Sequence, residues 1–219
     1  MRRADIIASV VALCTTTTRL PALAINPPPE PEAAQQLFEL CRDKRPSSSW
    51  TLDERRIVDG LIDDIVQSHT PWRKDLARGK WRLAYLQLGI DARNSALALP
   101  FTNEQFQIFS QSSVVSAAEI LGPTLEVRAA GAWREDSADI STPKRFRADI
   151  TQGALCGSIT MGRAEKANIG RACAPLPLVG ETYRVVNAEY VGRKLRISQD
   201  LNSGGSRVVQ VRVDGFSGR

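Results

Sequence analysis

Histidine is nearly absent from this chain, with His69 the one example in 219 residues. It stands just before a Thr-Pro pair at the end of a helical segment, and a lone imidazole there reads as a surface residue. Cysteine is scarce as well. Cys14, Cys41, Cys156 and Cys173 form no C-x-x-C pair and no Cys/His cluster, so a zinc or redox motif is not supported. Cys156 and Cys173 are able to pair in an oxidising compartment, but spacing alone does not reveal their geometry. Buried free thiols are the simpler expectation. No run of eighteen apolar residues exists, so no membrane-spanning helix is expected. G-x-S-x-G, H-E-x-x-H, G-x-G-x-x-G and a Gly-rich phosphate loop are all missing. The adjacent Glu135 and Asp136 read as a charged turn, because neighbours in a turn have no fixed common target. No carboxylate is tied by spacing to a nucleophile or a metal. The chain reads as a non-enzyme that calls for no cofactor.

The composition that remains is ordinary: 42% hydrophobic, 24% charged and a formal charge of +5. That suits one soluble domain with extensions. Residues 1–24 hold three Arg and one Asp, and the remainder keeps a charge of about +3, too sparse for a dedicated nucleic-acid binder. The basic excess gathers at the end. Arg193, Lys194, Arg196, Arg207, Arg212 and Arg219 face only Asp200 and Asp214 after Tyr190. A solvated outer strand face explains this run, and so does attraction to an anionic lipid surface.

Residues 1–24 have the parts of a cleavable targeting segment: paired Arg2-Arg3, an apolar run from Ile6 to Cys14, a Thr tract, and an Ala-x-Ala end at Ala24. The Thr-rich, acid-poor composition also fits a plastid transit sequence, and the twin arginine fits the Tat route. Residues 25–49 read as a Pro-rich linker followed by a short helix, Glu32 to Asp43, with Leu37, Phe38 and Cys41 on one face. Thr51-Leu52-Asp53-Glu54 has the form of a capping box. It opens a helix to Gln67, in which Ile57, Val58, Leu61, Ile62, Ile65 and Val66 recur at helical spacing.

The period then changes from helical to two. Gly79 to Gln87 carries Trp81, Leu83 and Tyr85 on one face. Gln105 to Ser110, Thr124 to Trp133, Lys144 to Thr151, Leu155 to Met161 and Thr182 to Ala188 are further strand candidates. Gly162 to Gly180 reads as a long loop. Leu195 and Ile197, then Val209, Val211 and Val213, alternate with polar residues around Asn202-Ser203-Gly204-Gly205. That is a closing hairpin whose loop tolerates positive φ. Seven or eight half-polar strands in series, none separated by a helix, predict a mainly β antiparallel barrel or sandwich behind one or two N-terminal helices. A small barrel either fills its interior or encloses one apolar ligand. Trp81, Tyr85, Phe106 and Phe146 would share that interior, and Trp81 and Tyr85, at i and i+4, would line one wall. Leu195, Ile197 and the valines of the last strand would seal it. Arg196, between Leu195 and Ile197, should face out in a surface salt bridge, or else sit near a barrel end and bind a carboxylate or head group.

Several of these segments resemble the plastid lipid-associated protein family, also called fibrillins or plastoglobulins. Gly79-Lys80-Trp81-Arg82-Leu83-Ala84-Tyr85 is similar to the family's opening strand, G-x-W-x-L-x-Y. Tyr190 to Ser198 is similar to its C-terminal signature, Y-[LV]-x-x-x-L-R-[IL]-x. The Arg-Gly step that often follows is replaced by Gln199-Asp200. The similarity runs from about residue 50 to 213, with 214–219 left as a tail. It implies a lipocalin-like barrel in the chloroplast, at plastoglobules or thylakoids, with the lumen included. It also implies lipid, prenylquinone or carotenoid partners, peripheral association with a membrane, and no catalytic residue. A structural or assembly protein of the thylakoid with a filled barrel is the alternative. An enzyme on prenyl lipids comes third, since the sequence nominates no polar residue for it.

Overall fold

A computed structural model describes residues 29–45, 48–87, 104–120, 124–136, 142–158, 171–178, 182–202 and 204–213. The targeting segment, most of the 162–180 stretch and the C-terminal tail lie outside the described residues.

Two amphipathic helices come first. α1 (Glu32–Cys41) buries Ala34, Leu37 and Cys41. α2 (Leu52–Gln67) buries Val58, Ile62 and Ile65 and leaves Ile57 exposed. The Thr51 side chain accepts from the Glu54 amide, and the Glu54 carboxylate accepts from the Thr51 amide. Two N–H groups that the first turn cannot satisfy are thereby paired. α1 packs into the same core as α2 and is part of the fold rather than of a linker. A single turn, α3 (Lys74–Ala77), follows.

Nine strands then form one antiparallel sheet. They are β1 (Gly79–Gln87), β2 (Gln105–Phe109), β3 (Ser113–Glu119), β4 (Leu125–Glu135), β5 (Lys144–Ser158), β6 (Arg171–Leu176), β7 (Tyr183–Val191), β8 (Leu195–Asp200) and β9 (Ser206–Arg212). The order is β4-β3-β2-β1-β9-β8-β7-β5-β6, and β4 also pairs with β5. That extra pairing closes eight strands into a ring and leaves β6 outside it. β5 serves both roles: Lys144 to Asp149 pair with β7, and Gly153 to Ser158 pair with β6. Among the described residues β6 pairs with β5 alone, so the ring splits where β5 passes from β7 to β6.

β3 escaped the periodicity reading because Ser113–Glu119 is Ser/Ala-rich, with no clear apolar alternation. β5 is one strand rather than two, bulged at Thr151, which has no partner between Ala130↔Gln152 and Gly131↔Ile150. Gly131 is required at this bulge, since a Cβ there would lie 1.9 Å from the Asp149 carbonyl oxygen. β6 occupies part of the expected loop. The closing hairpin forms as expected, with Gly204 and Gly205 at φ 64° and 75°. Those values favour glycine strongly.

Candidate ligand site inside the strand ring

Residues directly opposite one another on paired strands share a face, so the register sorts every side chain as inward or outward. Trp81 pairs with Gln107 and Arg212, Leu83 with Gln210, and Gln210 with Arg196. These point into the ring. Leu195 and Ile197 of β8, and Val209 and Val211 of β9, point the other way. They form one core with Leu37, Cys41, Val58, Ile62 and Ile65 of the helices. The expectation that these residues seal the interior is therefore reversed. Two amphipathic helices lie on the outer face of β1 and β7–β9, and the apolar side of the hairpin goes to that larger apolar partner. The alternate residues, Arg196, Ser198, Gln210 and Arg212, are left for the inside.

Two bulges complete the sorting. Ala84 is unpaired between Leu83↔Gln210 and Tyr85↔Val209. Glu189 is unpaired between Ala188↔Ser198 and Tyr190↔Ile197. Each extra residue inverts the face that follows it. Trp81 therefore points in and Tyr85 points out, where its hydroxyl donates to Asp59 at 2.9 Å and its ring meets Trp50 edge-on. Burial, and then the bond to Asp59, push the Tyr85 hydroxyl up to about 12. Tyr190 is turned outward in the same way, into the helix core. Phe106 also points out, because it pairs with Arg82, and Lys80 lies 3.9 Å from its ring. Of the six candidate site residues, Trp81, Phe146 and Arg196 share the interior, whereas Tyr85, Phe106 and Leu195 do not.

One end of the interior is filled. Phe109, Trp133 and Phe146 pack edge to face at 5.6–6.0 Å, a favoured arrangement of ring quadrupoles. Trp81, Val114, Ala148, Ala188 and Val191 join them, and Ala77 of α3 closes the end. Phe109 and Trp133 were not singled out in the sequence: the first lies in a five-residue strand, the second in a long Ala-rich one. Arg212 ties this end shut. Its guanidinium donates to the carbonyls of Arg193 at 2.6 Å, Arg78 at 2.8 Å and Leu76, and lies 4.3 Å from the Trp81 ring. Lys144, 2% exposed, and Lys74 both reach Glu135 at 3.4 Å. Glu135 thus serves as a structural counterion rather than half of a carboxylate pair with Asp136.

Above the aromatic floor sits Arg196, 2% exposed. Its Nε donates to Gln210 Oε1 at 2.8 Å, and its Nη2 donates to Gln107 Oε1 at 2.7 Å and to Gln210 Oε1. Phe109 lies 4.4 Å and Trp81 5.2 Å from the guanidinium carbon. Burial, and then the like charge of Arg212, push Arg196 down to about 9, so it remains a cation at neutral pH. Beyond Arg196, toward the split in the ring, the inward residues become small: Ser116, Ala118, Val127 and Ala129, with Leu155 opposite. All five keep part of their surface accessible.

The basic stripe at the C-terminus is dispersed by the fold. Arg196 is inside and Arg212 binds backbone carbonyls. Arg207 crosses to Glu189 at 2.8 Å and to Asp63 of α2 at 2.9 Å. Arg193 and Lys194 stay exposed at the β7–β8 turn, and Arg219 lies outside the described residues. The expectation of free thiols is likewise corrected for one pair: Cys156 and Cys173 are directly opposite on β5 and β6 and form a disulfide. Cys41 is free and buried, and burial pushes its thiol up to about 12. No protein-family model matches the chain, and no curated protein or solved structure is significantly similar to it.

Proposed function

We propose that the ring is a lipocalin-like β-barrel that carries one hydrophobic small molecule, without catalysing a reaction on it. The observation that carries this reading is the uneven lining of the interior: an aromatic floor at one end, and small, part-exposed inward side chains toward the end where β5 leaves β7. On this reading the small residues make room for the ligand and the split admits it. An apolar ligand seated there would gain about 25 cal/mol for each Å² of apolar surface buried, before the costs of binding.

The resemblance of Gly79–Tyr85 and Tyr190–Ser198 to plastid lipid-associated proteins supports a lipid, prenylquinone or carotenoid as cargo. It also supports a place at plastoglobules or thylakoids. The Cys156–Cys173 bond suits a compartment that is not strongly reducing. A second reading, a thylakoid assembly protein with a packed barrel, draws on the filled aromatic end.

Solvent extraction of the purified protein separates the two readings. The carrier reading expects a lipid or quinone to co-purify, and added quinone to quench tryptophan fluorescence in a Trp50→Phe variant, since Trp81 and Trp133 lie on the inward face. An empty extract together with no quenching leaves the packed-barrel reading standing.

A further inference from the structure

Arg196 is as buried as the apolar core, yet it has no anionic partner among the described residues. Its hydrogen bonds go to two amide oxygens, those of Gln107 and Gln210, which carry no net charge. Among the described residues no carboxylate lies within ion-pair distance of it. Asp200, the inward carboxylate on the same strand, is four residues away, about 13 Å along the strand, and its side chain accepts from the Asn202 amide. Glu135, at the floor, is held by Lys74 and Lys144. Arg212 acts on Arg196 as a like charge and repels it.

Taking a guanidinium out of water costs several kcal/mol even after relaxation. Three hydrogen bonds to neutral acceptors and two aromatic faces return only part of that. An apolar residue would fill the same space without the cost, as Leu195 and Ile197 do on the other face of the same strand. Nη1 takes part in none of the bonds to the two glutamines, so its N–H groups are left to bond something else. A guanidinium N–H gives a carboxylate oxygen a charge-assisted hydrogen bond.

We infer that Arg196 is the anchor for a carboxylate, and that the molecule carried in the ring is an acid with an apolar tail. This inference rests on the carrier reading above. The carboxylate meets Arg196 and displaces no protein anion of the described residues. The tail extends over Leu83 and Val208 toward the small residues Ser116, Ala118 and Ala129. Gln107 and Gln210 hold the guanidinium in one orientation, and Trp81 and Phe109 keep water from its faces.

The test uses full-length, delipidated protein at neutral pH, titrated with decanoate and with decanol by tryptophan fluorescence and calorimetry. Decanoate is expected to bind about tenfold or more tightly than decanol, the increment of a charge-assisted bond over a neutral one. Arg196→Met should remove that preference. Decanol and decanoate binding equally to the unaltered protein would overturn the anchor and leave the carrier reading intact. So would an undiminished preference in Arg196→Met. Neither compound binding, with quinone also failing to quench, would overturn both. If Arg196→Met does not fold, the comparison of the two ligands on the unaltered protein still decides.

Discussion

Arg196 and Ile197 are chain neighbours on β8, 2% and 0% exposed, and they are buried for different reasons. Ile197 faces outward into a core of Leu37, Val58, Ile62, Ile65, Val209 and Val211, where every partner is apolar. Arg196 faces inward among glutamines and rings. The outer core gains from each group that it buries. The inner site bears a cost at its centre, and that cost is what a bound anion would relieve. Equal burial on the two faces of one strand thus marks stability on one side and, on the reading proposed above, a site on the other.

The largest expected effect comes from the outer face. Ile197→Ala should lower stability by about 4 kcal/mol, through lost transfer energy and the cavity left behind. Arg196→Met, equally buried, should cost less than about 1 kcal/mol in the ligand-free protein, because replacing a buried ion by an apolar group of like volume is often neutral or better. Urea unfolding of the two variants side by side checks this, and similar losses would erase the distinction between the faces.

Next comes the edge of the ring. Replacing both Cys156 and Cys173 by Ser frees β6 and opens a cross-link 17 residues apart. The expected loss is about 3 kcal/mol from unfolded-state entropy. It should appear in thermal melts with the preference for decanoate over decanol unchanged, because the disulfide lies on the outward face.

Gln210→Leu should cost about 2 kcal/mol, since it leaves a buried guanidinium without one of its two acceptors. In an Arg196→Met background the same change should cost little. A double-mutant cycle that showed no coupling between the two would mean that Gln210 does not hold Arg196.

A further small effect is Tyr85→Phe, about 1 kcal/mol for the bond to Asp59, and it carries a pH signature. The Tyr85 hydroxyl is raised from 10.0 to about 12 in the folded protein. Its contribution is therefore complete below pH 10 and is lost as pH rises toward 12, where the unfolded chain ionises first. The parent protein should lose stability across that window, and Tyr85→Phe should lose less. An equal decline in both would assign the alkaline loss to other groups.

Much of the fold is legible in the residues. The Thr51–Glu54 capping box, the α2 face from Val58 to Ile65, β1 from Gly79 to Gln87 and the glycine-linked hairpin all follow from local chemistry and period. β3 and β6 do not, because Ser113–Glu119 and Arg171–Leu176 lack apolar alternation and take their strand form from neighbours already in place. Half of the site was legible too. Trp81 and Phe146 belong to the interior on periodicity alone. Tyr85 does not, because a single extra residue at Ala84 inverts the face, and a bulge leaves no mark in apolar spacing.

The sequence by itself determined that β8 and β9 have an apolar face and a polar one, because side chains alternate along any extended strand. Only the tertiary structure decided which face turns inward. That choice depends on where the largest apolar surface lies, and here it belongs to α1 and α2, packed outside the ring. Their position sends Leu195 and Ile197 out to a hydrophobic core. It leaves Arg196 inside, a cation held by neutral partners.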